Sequence, residues 1–302
     1  MLVLVGVTLI TFLLEHLLPG SIARSILGVH ANPATIAAFN KANDLTSPLV
    51  VQYGHFLDEL IHGNLGFSYV QNRSVDSILA SEAPRDILLV GVSLVLSLAI
   101  AIPTGIAQAV HRNRAVDHVG TAVAFTLYSM PPYVPALLAI EVFAIKLHWL
   151  PSEAPQSASA LGMLAHPAGL ILPILTLTLV SYAFYSRYMR SAVIDTLAQP
   201  FMQTARSKGL PERSVLAHHV LRNSLIPVVT LVGLSIPTVL TAGLITEEIF
   251  NFPGIGLEYF NAATSNDFPT MIGVTVVIGV FTVLGNLLAD LGYAILDPRV
   301  RL

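Results

Sequence analysis

The sequence contains no cysteine and few charged residues. Of its 302 residues only 11% are charged and 54% are hydrophobic, whereas a soluble domain carries about 25% charged residues. Without cysteine the chain forms no disulfide and has no thiolate ligand or cysteine nucleophile. So little charge does not cover a water-facing surface, and several apolar runs approach or exceed the ~20 residues that cross a bilayer. The composition therefore predicts a polytopic membrane protein.

Two kinds of functional motif are also missing. No Gly-Lys pair occurs, so the phosphate-binding loop that ends in GK[ST] is absent. If transport is ATP-driven, another subunit binds the ATP. No block of Lys or Arg resembles a nucleic-acid patch, and nucleic acid is not an expected partner.

Ionisable residues inside the apolar runs mark proton relays, ion sites or catalysis. Here they are scarce and lie toward the ends of the runs, at Glu15, His16, Glu141, Lys146 and Asp290. A secondary transporter or a membrane-embedded enzyme is therefore disfavoured, and both are kept as alternatives. The histidines show no ligand spacing, since His55 and His62 stand seven apart and His218 and His219 point in different directions on a helix. We expect no metal site.

The apolar runs predict about six transmembrane helices. Their approximate limits are 1–18, 87–109, 119–147, 168–186, 226–245 and 269–289. Pro84 is expected at the entrance of the second. Pro131, Pro132 and Pro135 must break the third, because proline removes a backbone donor that lipid cannot replace. Broken backbone at membrane depth faces protein or water, which makes Pro131 and Pro132 candidate pathway-lining residues; a kink without solute contact is the alternative.

The distribution of Lys and Arg predicts the orientation. Three lie in 19–83, whereas ten lie in the loops after the second and fourth spans and in the tail, at Arg112, Arg114, Arg187, Arg190, Arg206, Lys208, Arg213, Arg222, Arg299 and Arg301. By the positive-inside rule both termini are cytoplasmic, and the loops 19–83, 148–167 and 246–268 are outside.

The segment 187–225 is the one predicted cytoplasmic region large enough to dock a partner. Gly209 and Pro211 divide it into two short helices. Its apolar residues are expected on one face, at Leu210, Val215, Leu216, Val220 and Leu221. The pattern fits a helix lying against a partner subunit and equally a helix on the membrane surface.

The residues QTARSKG at 203–209 and HVLRN at 219–223 resemble the EAA loop of ABC importer permeases, in the form used by the dipeptide, oligopeptide and nickel branch. Ala205, Gly209 and Leu221 match the general pattern, whereas Gln203, Thr204, His219 and Arg222 depart from it. The departures are typical of the peptide branch, except that this branch usually has arginine where the chain has Gln203. That difference could alter the strength of the ATPase contact.

The resemblance extends along the chain in the same order of landmarks. They are LLPG at 17–20, QY at 52–53, GNLG at 63–66, SMPP at 129–132, EIF at 248–250, PGIG at 253–256 and DPRVR at 297–301. Together they resemble the first permease of such operons, which carries a longer loop after its first helix. Relatives usually have further residues before the first apolar run, and Met1 to Leu14 spans only ~21 Å as a helix. We therefore expect the true start to lie upstream.

This resemblance implies an all-α integral membrane fold of the type I ABC importer permease, as a single domain over 1–302. It implies a permease subunit in the bacterial inner membrane that forms half of a pathway for peptides. The implied partners are a homologous second permease, two ATPase subunits that hold ATP and Mg, an extracytoplasmic binding protein and lipid, with no cofactor on this chain. Relatives also import nickel chelates, opines and glutathione-like compounds.

The resemblance also assigns residues to two roles. Contact with the ATPases falls to Gln203, Thr204, Ala205, Lys208, Gly209, His219, Leu221 and Arg222. The outer gate falls to the loop 246–268, with Phe250, Pro253, Gly254 and Gly256; an interfacial loop with aromatic anchors is the alternative for this loop. No catalytic residue is implied.

Overall fold

A computed structural model describes residues 2–17, 23, 31–42, 46–209 and 211–296. In that part of the chain the elements are α1 Leu2–Leu17, α2 Pro33–Ala42, α3 Leu49–Ile61, β1 Phe67–Ser68, β2 Arg73–Ser74, α4 Val75–Val110, α5 Ala115–Ser129, α6 Tyr133–Ala139, α7 Ala160–Leu164, α8 Ala168–Leu197, α9 Pro200–Ser207, α10, α11 Ile255–Ser265 and α12 Phe268–Leu296. Helix α6 continues as the π-helical segment Ile140–Lys146. Helix α10 begins at Glu212–Ser214, passes through π-helical Val215–Val220 and continues as Leu221–Ile249.

Four helices among the described residues are long and apolar enough to cross a membrane. They lie at Val75–Val110, Ala168–Leu197, Glu212–Gly233 and Phe268–Leu288, and the bent pair Ala115–Ser129 and Tyr133–Lys146 supplies a fifth if it forms one span. Helix α1, with 16 residues, falls short of the ~20 that a span needs. A sixth span therefore stays a prediction.

The predicted break in the third apolar run is confirmed. Helix α5 ends at Ser129, Met130 is extended, and the chain turns by 105° before α6 begins at Tyr133. Pro135 lies within the first turn of α6, where a backbone N–H has no intrahelical partner and none is lost.

The structure corrects two predicted helix boundaries and extends a third helix beyond its predicted membrane span. Pro84 lies inside α4, which starts at Val75, because the first turns of α4 pack against α12 through Val75, Leu79 and Val274. Helix α8 continues beyond residue 186 to Leu197, since Met189 and Val193 are buried in the core. The second of the two short helices predicted in 187–225 is instead the beginning of the long helix α10.

Helices α4 and α8 pack side by side at the centre of the bundle. A Cβ at Gly105 of α4 would lie 2.8 Å from Cβ of Met189 and 3.0 Å from the carbonyl oxygen of Ser186. Further along the pair, Ser93 Oγ donates to the carbonyl of Ile174 at 3.3 Å. Small residues at such contacts let helix backbones approach closely, as in other membrane bundles.

Two parts of the segment between α1 and α4 pack on other elements, helix α3 on α1 and the β-hairpin on the turn between α11 and α12. On α3, Tyr53 lies 5.4 Å from Phe12 of α1, ring centroid to ring centroid. Strands β1 and β2 are antiparallel, with Phe67 opposite Ser74 and Ser68 opposite Arg73. The buried Ser68 Oγ donates to Asp267 at 2.5 Å, which fixes this hairpin to the turn between α11 and α12.

Candidate functional site

The predicted coupling residues lie on α9, on the turn that follows it and at the start of α10. Helix α9 begins with Pro200 at its first position, where the fixed φ of proline suits a helix. After Ser207 the chain turns at Gly209, whose φ of +73° is left-handed and favours glycine. Pro211 then precedes the first turn of α10. The predicted division of this segment at Gly209 and Pro211 is confirmed.

The inner face of α9 is buried. Met202 and Ala205 pack in a core cluster with Met189 of α8 and with Val215 and Val220 of α10. The predicted apolar face of α10 is present, because Leu216 and Leu221 pack partly buried against the same cluster, whereas Leu210 lies outside the described residues. Helix α9 is therefore fixed to the bundle along one side.

The outer face of α9 and the turn after it are exposed. Among the predicted coupling residues, Gln203, Thr204, Lys208, Gly209 and Arg222 are exposed, His219 and Leu221 are half-buried, and Ala205 is buried. Across the turn, Arg206 Nη2 donates to Glu212 Oε1 at 2.8 Å, and this hydrogen bond raises the pKa of Arg206. The surface thus consists of polar side chains on a helix that its opposite face holds in place.

The same end of the bundle contains an ion pair between α5 and α8. Arg190 donates from Nε and Nη2 to the two carboxylate oxygens of Asp117, at 2.6 and 2.9 Å. The Asn113 N–H, at a left-handed residue before α5, donates to Asp117 at 3.0 Å. The start of α5 is thereby fixed against α8 and against the preceding loop.

The predicted gate residues lie close together at the opposite end, between α10 and α11. Phe250 is fully buried, Gly254 and Gly256 are buried, and Pro253 is half-buried. A Cβ on Gly256 would lie 2.5 Å from Cα of Leu244, so only glycine fits there. The buried aromatic residue anchors the loop, and the glycines let it approach α10.

Two buried carboxylates hold the start of α11. Glu247 Oε2 accepts the N–H groups of Gly256 and Leu257 at 2.7 and 3.0 Å. Asp86 of α4 accepts the Ile255 N–H at 3.1 and 3.2 Å with its two oxygens. The first N–H groups of a helix have no intrahelical acceptor, and negative groups near them are favourable. These residues therefore join α4, α10 and α11.

The segment 151–159 also belongs to this cluster. The Ala154 N–H donates to the carbonyl of Phe250 at 2.8 Å, and Gln156 Nε2 donates to that of Asn251 at 2.6 Å. Arg85, beside Asp86 on α4, pairs with Glu82 and donates to the carbonyl of Ser157. The loops on this side of the bundle are therefore tied together by polar contacts.

The sequence reasoning missed Asp86 and Glu247. They adjoin apolar runs and look like interfacial charges, yet their side chains are among the most buried in the described structure. A usable signal was the Pro-Gly-Ile-Gly sequence at 253–256, because it starts a helix without a Ser, Thr, Asp or Asn cap. Within the described residues, no three His, Cys, Asp or Glu side chains are grouped to hold a metal ion.

This fold defines a class of protein. It is a multi-pass helical membrane protein with one broken span and buried polar contacts at both ends. Residues 101–302 match the family model described as binding-protein-dependent transport system inner membrane component. Residues 1–90 match the model of the N-terminal region of such membrane components. The chain belongs to this family, whose members are transport permease subunits and not enzymes. The resemblance to ABC importer permeases is thus confirmed.

Several relatives align over nearly the whole chain. A candidate peptide permease protein of Brucella suis biovar 1 is 36% identical, over 99% of this chain and 95% of that protein. The glutathione transport system permease protein GsiC of Salmonella typhi is 34% identical, over 98% and 94%. The oligopeptide transport system permease protein AppB of Bacillus subtilis is 33% identical, over 99% and 95%.

A solved structure shows the same fold. One chain of the MetNI methionine ABC transporter, in an inward-facing conformation, superposes with a TM-score of 0.58 at 16% identity, covering 74% of this chain and 97% of that chain. At this identity the likeness concerns the fold alone. The predicted fold, that of a type I ABC importer permease, is confirmed.

Proposed function

We propose that this chain forms half of the translocation pathway of an ATP-driven importer of peptides. Relatives over its full length are named for peptides, oligopeptides and glutathione. The single structural observation that carries the proposal is the pairing of a buried inner face and an exposed polar outer face on α9. A surface of this kind suits contact with a subunit that moves.

The proposed partners are a homologous second permease, two ATPase subunits and an extracytoplasmic binding protein. ATP and Mg bind to the ATPase subunits, and this chain itself carries no cofactor. The complex lies in the bacterial inner membrane with both termini in the cytoplasm, as the distribution of Lys and Arg favours. With this orientation α9 faces the ATPases, and α11 faces the binding protein.

The contact with the ATPases is made by Gln203, Thr204, Lys208, Gly209, His219 and Arg222. Ala205 and Leu221 pack beneath these residues and hold the surface in place. Because α9 is packed against α8 and α10, these three helices move together as a rigid body. A movement of the ATPases against α9 is thereby transmitted to the helical bundle. At the other end, Phe250, Pro253, Gly254 and Gly256 belong to the gate, and the backbone around Pro131 and Pro132 lines the pathway.

Within the peptide class, glutathione is the favoured second candidate, because the GsiC relative aligns over nearly its whole length. Nickel chelates and opines remain the alternatives of the same branch. Import assays with short peptides, glutathione and nickel, using the complete transporter, distinguish these solutes.

The first experiment tags the chain, extracts it gently from the membranes of its own host and identifies by mass spectrometry what co-purifies. Recovery of a second permease and of ATPases in stoichiometric amounts is expected. Recovery of the chain alone, under conditions that keep a known transporter intact, would overturn the proposed assembly with a second permease and ATPases.

Two variants of Gly209 test the coupling site. No atom of this chain lies within 4 Å of a Cβ built on this residue, so within the chain a substitution acts through the backbone. Gly209→Val should abolish ATPase recovery, because a β-branched residue disfavours the left-handed conformation. Gly209→Asn is the matched control, since asparagine tolerates that conformation, and it should retain the ATPases. Equal recovery with both variants would place the coupling contact elsewhere.

A further inference from the structure

Arg187 of α8 lies against two aromatic rings of α5. Its guanidinium carbon is 4.3 Å from the centre of the Phe125 ring and 4.6 Å from that of Tyr128. An arginine within about 6 Å of a ring centre is attracted by the ring face. In the chain by itself about half of each ring is exposed, 49% for Phe125 and 56% for Tyr128. The three side chains form one open site, named here the Arg187 site.

The Arg187 site lies within two segments that are long and apolar enough to belong to membrane spans, Ala168–Leu197 and the first half of the bent pair, Ala115–Ser129. Arg187 is ten residues before the end of α8 at Leu197, or ~15 Å along the helix. Phe125 and Tyr128 are ten and thirteen residues beyond the start of α5, or ~15 to ~20 Å. An ionisable residue inside such an apolar segment is a candidate functional site.

Arg187 has no acidic partner within ion-pair distance in the described part of the chain. The acid on α5, Asp117, is bound through both oxygens to Arg190. Contact with a ring uses the face of a guanidinium, whereas its N–H donors point outward in the plane. Those donors match the two oxygens of a carboxylate.

The site also adjoins the broken span. Tyr128 is three residues before Pro131, where the chain turns by 105° between α5 and α6. Irregular backbone at this depth must face protein or water. An arginine beside it has the same requirement, because hydrocarbon does not solvate a charge. The break and the arginine therefore favour the same interpretation, a polar cavity on this face.

We propose that Arg187, held by Phe125 and Tyr128, binds a carboxylate of the transported peptide on its way through the membrane. This inference rests on the proposed function and adds a binding residue to it. The rings position the guanidinium, and its N–H groups donate two parallel hydrogen bonds to the carboxylate. No covalent step is involved, and release needs only competition by water or by a second site.

The test measures import by the complete transporter in proteoliposomes, with its ATPases and binding protein. The probes are labelled tri-alanine and tri-alanine amide, which differ only in the terminal carboxylate. The quantity compared is the ratio of acid import to amide import in wild type and in each variant. The binding protein's own preference enters every ratio alike and cancels.

Arg187→Gln should lower this ratio about tenfold, the effect of losing one charge-assisted contact. Arg187→Lys keeps a positive charge beside the rings but loses the fork of donors, and it should lower the ratio by a smaller factor. Arg112→Gln removes the same charge from an exposed loop and should leave the ratio unchanged.

An unchanged ratio in Arg187→Gln would overturn the inference. This holds even if import of both peptides falls, because an equal loss indicates a purely structural arginine. If Arg187→Gln fails to assemble, an unchanged ratio in Arg187→Lys overturns it as well. Absence of peptide import by the wild-type transporter would instead overturn the proposed function, and this inference with it.

Discussion

Arg190 holds Asp117 through two hydrogen bonds, of 2.6 and 2.9 Å, and this pair ties the first turn of α5 to α8. Asp117 is almost fully buried, so Asp117→Asn leaves the guanidinium without its counter-charge and with one acceptor oxygen in place of two. Asp117→Asn should destabilise the protein by about 3 kcal/mol, measured as a lower melting temperature in detergent. The double variant with Arg190→Gln should recover part of the loss. Additive losses would show that the two side chains act independently.

The packing of α4 on α8 predicts opposite effects for two glycines of α4. Gly105→Ala places a Cβ 2.8 Å from Met189 and should separate the helices, costing about 1 to 3 kcal/mol. Gly91→Ala meets nothing within 4 Å and should be neutral or stabilising, because alanine favours a helix. Yield of folded protein and melting temperature distinguish them. Equal behaviour would contradict the close packing at Gly105.

Glu247 and the adjacent Glu248 provide a matched pair of variants that tests how the start of α11 is held. Glu247→Leu leaves the N–H groups of Gly256 and Leu257 without their acceptor, and it should cost about 3 kcal/mol. Glu247→Gln keeps one acceptor oxygen and should cost less. Glu248→Leu, a half-buried position one residue on, serves as the control for the removed charge. Stability is measured on the purified transporter, and equal losses for the two leucine variants would contradict the capping role.

Gln203 offers a test of the α9 surface that leaves the fold intact. Its side chain is exposed, whereas the adjacent Met202 is fully buried. Gln203→Arg should change the affinity for the ATPase subunits by about threefold, the size of a surface charge effect, without a change in melting temperature. Met202→Ala should lower the melting temperature, since burial of its side chain contributes about 2 to 5 kcal/mol. An effect of Gln203→Arg on stability alone would place the ATPase contact elsewhere.

Features that depend on neighbouring residues could be predicted from the sequence. The break at Pro131 and Pro132 follows from missing backbone donors. The turn at Gly209 follows from the ability of glycine to adopt a left-handed conformation, which it has here. The apolar face of α10 follows from helical spacing, and Val215 and Val220 are indeed buried.

Features that depend on residues far away in the sequence could not be predicted. Asp86 is buried because it caps a helix 169 residues further along the chain, at Ile255. The fourth span was expected to end near residue 186, where the basic stretch begins, whereas helix α8 runs on to Leu197. It continues because Arg187 meets two rings and Arg190 meets Asp117, all contributed by α5. No pattern within a single helix encodes such pairings.

The stability of the loop at α11 should depend on pH through Glu258. Burial raises the pKa of Glu258 above its usual 4.5, although a hydrogen bond from Gln71 opposes the rise. A raised carboxyl pKa means that the folded state binds the proton more tightly, so this contribution to stability is complete below pH 4.5 and is lost as the pH rises through the folded-state pKa. Glu258→Gln is neutral at every pH. It should therefore raise the melting temperature of the transporter by about 1 to 2 °C at pH 7 and leave it unchanged at pH 4.5.

The Gln71 side chain provides the internal check on that pH dependence. Gln71→Leu removes the hydrogen bond that favours the ionised form of Glu258, so the pKa of Glu258 should rise further. The gain from Glu258→Gln at pH 7 should then be larger in the Gln71→Leu background than in wild type, because more ionisation cost is relieved. Melting curves of the four proteins between pH 4.5 and pH 8 measure this difference. A gain that is the same at every pH, or smaller without Gln71, would mean that Glu258 acts through packing and not through its charge.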